Sequence, residues 1–186
     1  SAGEKFSRRL AEVLGKNHKL RLTDRSLTPN DSQVVVSQLG DDESTDDLVR
    51  DIDVVVHLGK PDSNLSPSEQ LDHAMRCTYN LLWAAYRAGV SRFIYLSSLD
   101  VMERHEVTHA VTEKWRTAPT LEMTSLCHYL GEFVCREFAR EDRIDVVCLR
   151  LGDITWDGQP TSTSALYVDD AVQAVSLALE VDFDFE

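Results

Sequence analysis

The sequence predicts an α/β fold, a doubly wound parallel sheet with helices on both faces. Two observations predict it. Short runs of β-branched and other apolar residues recur along the chain, and segments with helical spacing of apolar residues separate them. Runs such as Val54-Val55-Val56 are continuous rather than alternating, as in strands covered on both sides.

In chain order, Phe6, Leu10, Val13 and Leu14 have the spacing of an amphipathic helix closed by Gly15. Residues 19–23 alternate like a strand that ends at Asp24, and Val34-Val35-Val36 is a short apolar strand. A short helix fits 46–50. Val54-Val55-Val56-His57-Leu58 is a buried strand followed by Gly59. Residues 68–88 read as one long helix with Leu71, Met75, Leu82 and Ala85 on one side and Gly89 at its end. Phe93-Ile94-Tyr95-Leu96 is a strand running into Ser97-Ser98. A helix over 126–140, a strand at Val146-Val147-Cys148-Leu149 and a helix over 169–179 complete the pattern. The longest irregular stretch, 102–121, is of a length that usually serves a site or is disordered.

The 186 residues make one domain with one sizeable core. A net charge of -13 repels phosphate backbones and argues against nucleic acid as a partner. No apolar run is long enough to span a membrane, and no apolar segment marks a signal peptide. The four cysteines, Cys77, Cys127, Cys135 and Cys148, form no CxxC and sit in apolar segments. They read as buried free thiols in a reducing, cytoplasmic setting. His105 and His109 stand at i, i+4 beside Glu103 and Glu106, but no third ligand is evident, so no metal site is assigned.

In a parallel sheet of this kind, ligands bind at the carboxyl ends of the strands. That places Asp24, Gly59-Lys60 and Ser97-Ser98 on one rim.

Five segments in order carry a family resemblance: RRLAEVLGKNHKLRLTDR, DIDVVVHLG, TYNLLWAAYRAGVSRFIYLSSLDV, LGEFVCREFAREDRIDVVCLRLGDI and ALYVDDAVQAVSLAL. Together they resemble the extended short-chain dehydrogenase/reductase family of NAD-dependent epimerases and dehydratases over nearly the whole chain. The resemblance implies a Rossmann-type domain binding NAD or NADP. It also implies a homodimer formed through the two long helices. It further implies a first strand just before residue 1, expected in residues upstream of this sequence, and a C-terminal substrate domain, most of which is expected to be missing from residues 1–186.

The positions that match the family's chemistry depart from its pattern. Its first βα turn carries G-x-x-G-x-x-G, and the match puts Ser1, Glu4 and Ser7 at the glycines, with Phe6 in the same turn. Glycine lets backbone N–H groups approach the pyrophosphate. Glu4 would instead set a carboxylate where the ligand's charge belongs. A register using Gly3 recovers only one glycine. The family's Tyr-x-x-x-Lys pair falls on Thr124 and His128, while its catalytic serine is kept as Ser98. The lysine lowers the tyrosine pKa for proton transfer, and threonine cannot take the tyrosine's part near neutral pH. The asparagine of the relay falls on Ala74.

Cofactor-facing positions partly survive. Asp24 stands where an acidic residue bonds the ribose hydroxyls of NAD, and Arg25 beside it would favour a 2′-phosphate. Asp41 matches an adenine-contacting position. Leu58 and Gly59 match the fourth-strand signature, and Lys60 replaces an alanine in it. Two functions are therefore expected. One is a non-catalytic Rossmann-type relative, binding nucleotide weakly or not at all. The alternative is an active NAD(P)-dependent epimerase, dehydratase or reductase on a sugar nucleotide or uronate, with Ser98 and His128 sharing the proton work.

Overall fold

The computed structural model describes residues 5–25, 34–106, 111–160 and 162–181. Ser1, Glu4 and His109 lie outside them. The described elements are strands β1 (Leu22–Asp24), β2 (Val34–Val36), β3 (Val54–Leu58), β4 (Arg92–Ser98), β5 (Asp145–Leu151), β6 (Asp153–Thr155) and β7 (Ala165–Tyr167). The helices are α1 (Lys5–Leu14), before β1; α2 (Glu43–Val49), between β2 and β3; α3 (Pro67–Asp72) and α4 (Thr78–Ala88), between β3 and β4; α5 (Met123–Arg140), between β4 and β5; and α6 (Val168–Glu180), after β7.

Among the described residues every strand pair is parallel, in three ladders: β1 with β2, β4 with β3 on one side and β5 on the other, and β6 with β7. Strand β4 shows why both faces are covered. Phe93 and Tyr95 pack with Leu48, Leu81, Val134 and Phe138 from α2, α4 and α5. Ile94 and Leu96 point the other way, onto Leu10 and Leu14 of α1 and Val172 and Val175 of α6. The period of two along the strand thus sends alternate apolar residues into two separate cores.

Charged staples close the end opposite the rim. Arg92 donates to Asp145 (2.6 Å) and to the carbonyls of Ala178 (3.0 Å) and Val181 (2.8 Å), tying β4, β5 and the end of α6 together. Arg21 donates to the carbonyls of Asp47, Leu48 and Arg50, which end α2 without an intrahelical partner.

Local chemistry moved several boundaries. Asp42 caps α2 by accepting from Thr45 N–H, so that helix starts at Glu43 rather than 46. A Ser66–Glu69 capping box starts α3, and a π-helical turn at His73–Cys77 divides the long helix expected over 68–88. Strand β1 is shorter than expected, since residues 19–21 lie outside it. The two-residue-spaced pattern of β6 and β7 was too short to read from the sequence.

Candidate functional site

Strand β4 ends at Ser98, whose extended backbone starts a 3-10 turn over Leu99–Met102. The half-buried Ser98 hydroxyl accepts from Asp100 N–H at 3.1 Å, which fixes its oxygen and leaves its proton to be donated. Helix α5 is moored to the same turn by Ser125. That hydroxyl donates to the Asp100 carbonyl (2.9 Å) and accepts from Thr120 N–H (3.0 Å). The mooring brings the first turns of α5 to the rim. Ser125 was missed in the sequence, where a serine in a first helical turn reads as ordinary helix start.

Thr124 and His128 share a face of α5 one turn apart, as their spacing requires. Their surroundings differ. Thr124 is exposed, whereas His128 is buried and its Nδ1 has no hydrogen-bond partner among the described residues. Burial pushes the His128 pKa below its ordinary 6.5, partly opposed by the Asp100 carboxylate, the Thr124 backbone and the Glu132 carboxylate, and the Lys60 ammonium lowers it slightly further. One turn on, Glu132 accepts from Arg150 of β5 through both its oxygens (2.9 and 2.8 Å), a bidentate, largely buried pair. A lone arginine in the apolar strand β5 was the available signal for this pair.

Tyr95 lies beneath the rim, fully buried, with no partner among the described residues for its hydroxyl. Its ring occupies the space where a Cβ would stand at Gly59 on one side and Gly131 on the other. Gly59 N–H donates to the Leu96 carbonyl (2.9 Å), so the loop after β3 continues the ladder before turning to Lys60.

The nucleotide-facing candidates gather elsewhere. Asp24, Arg25, Leu58 and Lys60 line one cavity of about 970 Å³ together with Ser7, His57 and His73. Phe6 packs instead with the core beneath α1, and Asp41 is an exposed residue beside the Asp42 cap. Asp24 accepts from Arg25 N–H (2.6 Å). The Arg25 Nε donates to the Gln38 side chain (3.2 Å), which donates back to the Arg25 carbonyl (2.9 Å). Arg25 Nη1 is buried with no hydrogen-bond partner among the described residues. His57 is held against Thr78 (3.1 Å), and burial lowers its pKa to about 3. His73, expected at the surface, lies 6.3 Å from the His57 ring, and burial lowers its pKa to about 4. His105 stacks edge-on against Trp115 and bonds the Arg116 carbonyl. Among the described residues no group of three or more His, Cys, Asp or Glu could hold a metal ion, and no helix is long and apolar enough to cross a membrane.

A parallel sheet sandwiched between helices, with its serine strand ending beside a helix that carries paired polar residues, defines a Rossmann-type domain of the short-chain dehydrogenase class. The chain belongs to the NAD dependent epimerase/dehydratase family, whose profile matches residues 6–165. A sequence comparison with curated proteins gave no match. Among solved structures, glucuronic acid dehydrogenase from Chromohalobacter salexigens superimposes with a TM-score of 0.84 at 22% identity, covering 98% of this chain and 71% of that one. UDP-N-acetylglucosamine 4-epimerase from Bacillus cereus gives 0.78 at 21%, covering 95% and 70%. MoeE5 in complex with UDP-glucuronic acid and NAD gives 0.78 at 19%, covering 98% and 71%. At these identities the likeness is one of fold.

Proposed function

We propose that this chain is a non-catalytic member of its family that holds a nicotinamide dinucleotide weakly, if at all, through the adenosine end. One observation carries the reading: His128 is buried with a lowered pKa. A neutral imidazole at that position offers no cation to lower a neighbouring pKa, and the neighbour is the hydroxyl of Thr124, not a phenol. Ser98 then has no proton partner of matching strength.

On the cofactor side the residues fit only in part. Asp24 and Arg25 would meet the ribose or a 2′-phosphate, and the unpartnered Nη1 of Arg25 is a donor suited to a phosphate oxygen. Ser7, in the first turn of α1, stands at the position of the family's last glycine. Ser7 is buried in the lining of the same cavity, with its hydroxyl unpartnered among the described residues, and it puts a side chain where the family's glycine leaves the backbone bare. No chemical step is therefore assigned to the cofactor.

Titration calorimetry with NAD and NADP should give at most millimolar binding, with NADP the tighter of the two. Arg25→Ala should remove that preference. Micromolar affinity for either nucleotide would contradict the weak-binding reading.

A second reading draws on the position of Ser98 and on the structural neighbours, among them uronate dehydrogenases and a UDP-N-acetylglucosamine 4-epimerase. It is an active NAD(P)-dependent epimerase, dehydratase or reductase on a sugar nucleotide or uronate. In that case His128 would be the acid–base group, working at a pH low enough to charge a buried imidazole.

A further inference from the structure

Three cysteines gather around Tyr95 between α5 and the sheet. Cys127 and Cys135 stand on the inner face of α5, one turn to either side of Gly131, which meets the Tyr95 ring. Cys148 is the ladder partner of Tyr95 in β5, so the two side chains share a face of the sheet. The Glu132–Arg150 pair fixes how α5 sits on β5. Strands β4 and β5 are parallel and α5 joins them, so α5 runs back from the rim while β5 runs toward it. From Glu132, three residues of helix descend about 4.5 Å to Cys135, and from Arg150, two residues of strand descend about 6.6 Å to Cys148. Each step keeps the face on which it starts, so the two thiols end opposite each other at nearly one level. Both belong to the core beneath α5, where burial and the neighbouring Cys148 side chain push the Cys135 thiol well up. Cys135 is buried and Cys148 half-buried. The other thiols are placed differently. Cys127 lies two turns from Cys135, about 12 Å along the helix and beyond the span of a disulfide. Cys77 donates to the Gln38 carbonyl (3.4 Å), on the loop after β2.

We propose that Cys135 and Cys148 form a reversible disulfide, a redox lock between α5 and β5 that a peroxide closes and a dithiol opens. The half-buried Cys148 is the sulfur that a small peroxide reaches. Its sulfur attacks one peroxide oxygen, the O–O bond breaks, and the thiol becomes a sulfenic acid with release of one water. Cys135 then attacks that sulfur. The S–O bond breaks, the S–S bond forms, and the Cys135 proton leaves with the hydroxyl as a second water. Two thiols are oxidised and one peroxide is reduced. A dithiol returns the two electrons and two protons and becomes a cyclic disulfide itself. Closing the bond brings the sulfurs to about 2.0 Å, so α5 settles toward β5. The Tyr95 ring against Gly131 resists that approach, and a strained disulfide is the kind most easily reduced. The shift reaches the rim because Thr124 and His128 ride on the same helix. The lock lies beneath the rim and stands apart from whether the rim binds nucleotide.

The test treats the folded chain with a stoichiometric amount of hydrogen peroxide, unfolds it, blocks the remaining thiols with iodoacetamide and maps the peptides by mass spectrometry. Two of the four thiols should be lost, in peptides joined through Cys135 and Cys148, and dithiothreitol should restore both. NMR resonances of Thr124 and His128 should shift on oxidation and return on reduction. The Cys135→Ala variant should stop at a sulfenic acid on Cys148, captured by dimedone, and Cys148→Ala should form no cross-link. The map of the unaltered chain decides the pairing even where a variant fails to fold. Four thiols left intact, a bond between any other two cysteines, a bond between two chains, or Cys148 oxidised without a cross-link would overturn the pair. A Cys135–Cys148 bond that leaves the Thr124 and His128 resonances in place would overturn the lock's reach to the rim.

Discussion

At the scale of single residues, burial decides what the histidines and Tyr95 can do. His57 titrates near 3 in the folded chain and near 6.5 when exposed, so the unfolded chain takes up the proton first as pH falls. The stability tied to this group is whole above about pH 6.5 and is lost as pH falls from there toward 3. His57→Gln should reduce the slope of unfolding free energy against pH by up to one proton, roughly 1.4 kcal/mol per pH unit, between about pH 6 and 4. An unaltered slope by chemical denaturation would contradict that. Tyr95 sets a steric rule: Gly131→Ala should cost about 1–3 kcal/mol, because the new methyl meets the tyrosine ring. Tyr95→Phe should recover part of it by removing an unpartnered buried hydroxyl, and a double variant no more stable than Gly131→Ala would refute the clash at the hydroxyl. The burial of His57 was legible in its apolar strand, but the role of Tyr95 was not. An isolated tyrosine in an apolar run reads only as core, and its two glycine neighbours lie far apart along the chain.

At the scale of elements, spacing was a sound guide wherever a strand or helix was long and periodic. Strands β3, β4 and β5 and helix α5 were found within a few residues. Where side chains compete with the periodic signal, boundaries shifted. Asp42 and Ser66 start helices on their own hydrogen bonds, and the π turn at His73–Cys77 keeps the helical apolar pattern while changing the pitch. The mooring of α5 depends on one hydroxyl. Ser125→Ala strips a partner from the Asp100 carbonyl and from Thr120 N–H. A loss of about 1–3 kcal/mol is expected, with shifted NMR resonances at Ser98 and His128. Stability and resonances left as they were would mean that the turn after β4 does not depend on α5.

At the scale of the whole molecule, the fold was readable because its signal is repeated in every strand and helix. The chemistry of the site was readable only as a set of residue types in a register. The register brings Thr124 and His128 to one face, but spacing cannot tell that one is exposed and the other buried. Nor could it tell that Arg25 and Asp24 would share a cavity with Ser7 while Asp41 faces water. Burial follows from tertiary packing, and it is burial that makes His128 a poor substitute for a lysine. The central claim is that this domain keeps its family's scaffold without its proton relay. The most direct test is a hydride-transfer assay with NAD and NADP against glucuronate and UDP-sugars, read at 340 nm, for the chain and its His128→Ala variant. The account predicts no turnover above background in either protein. Turnover by the chain that His128→Ala abolishes would contradict it.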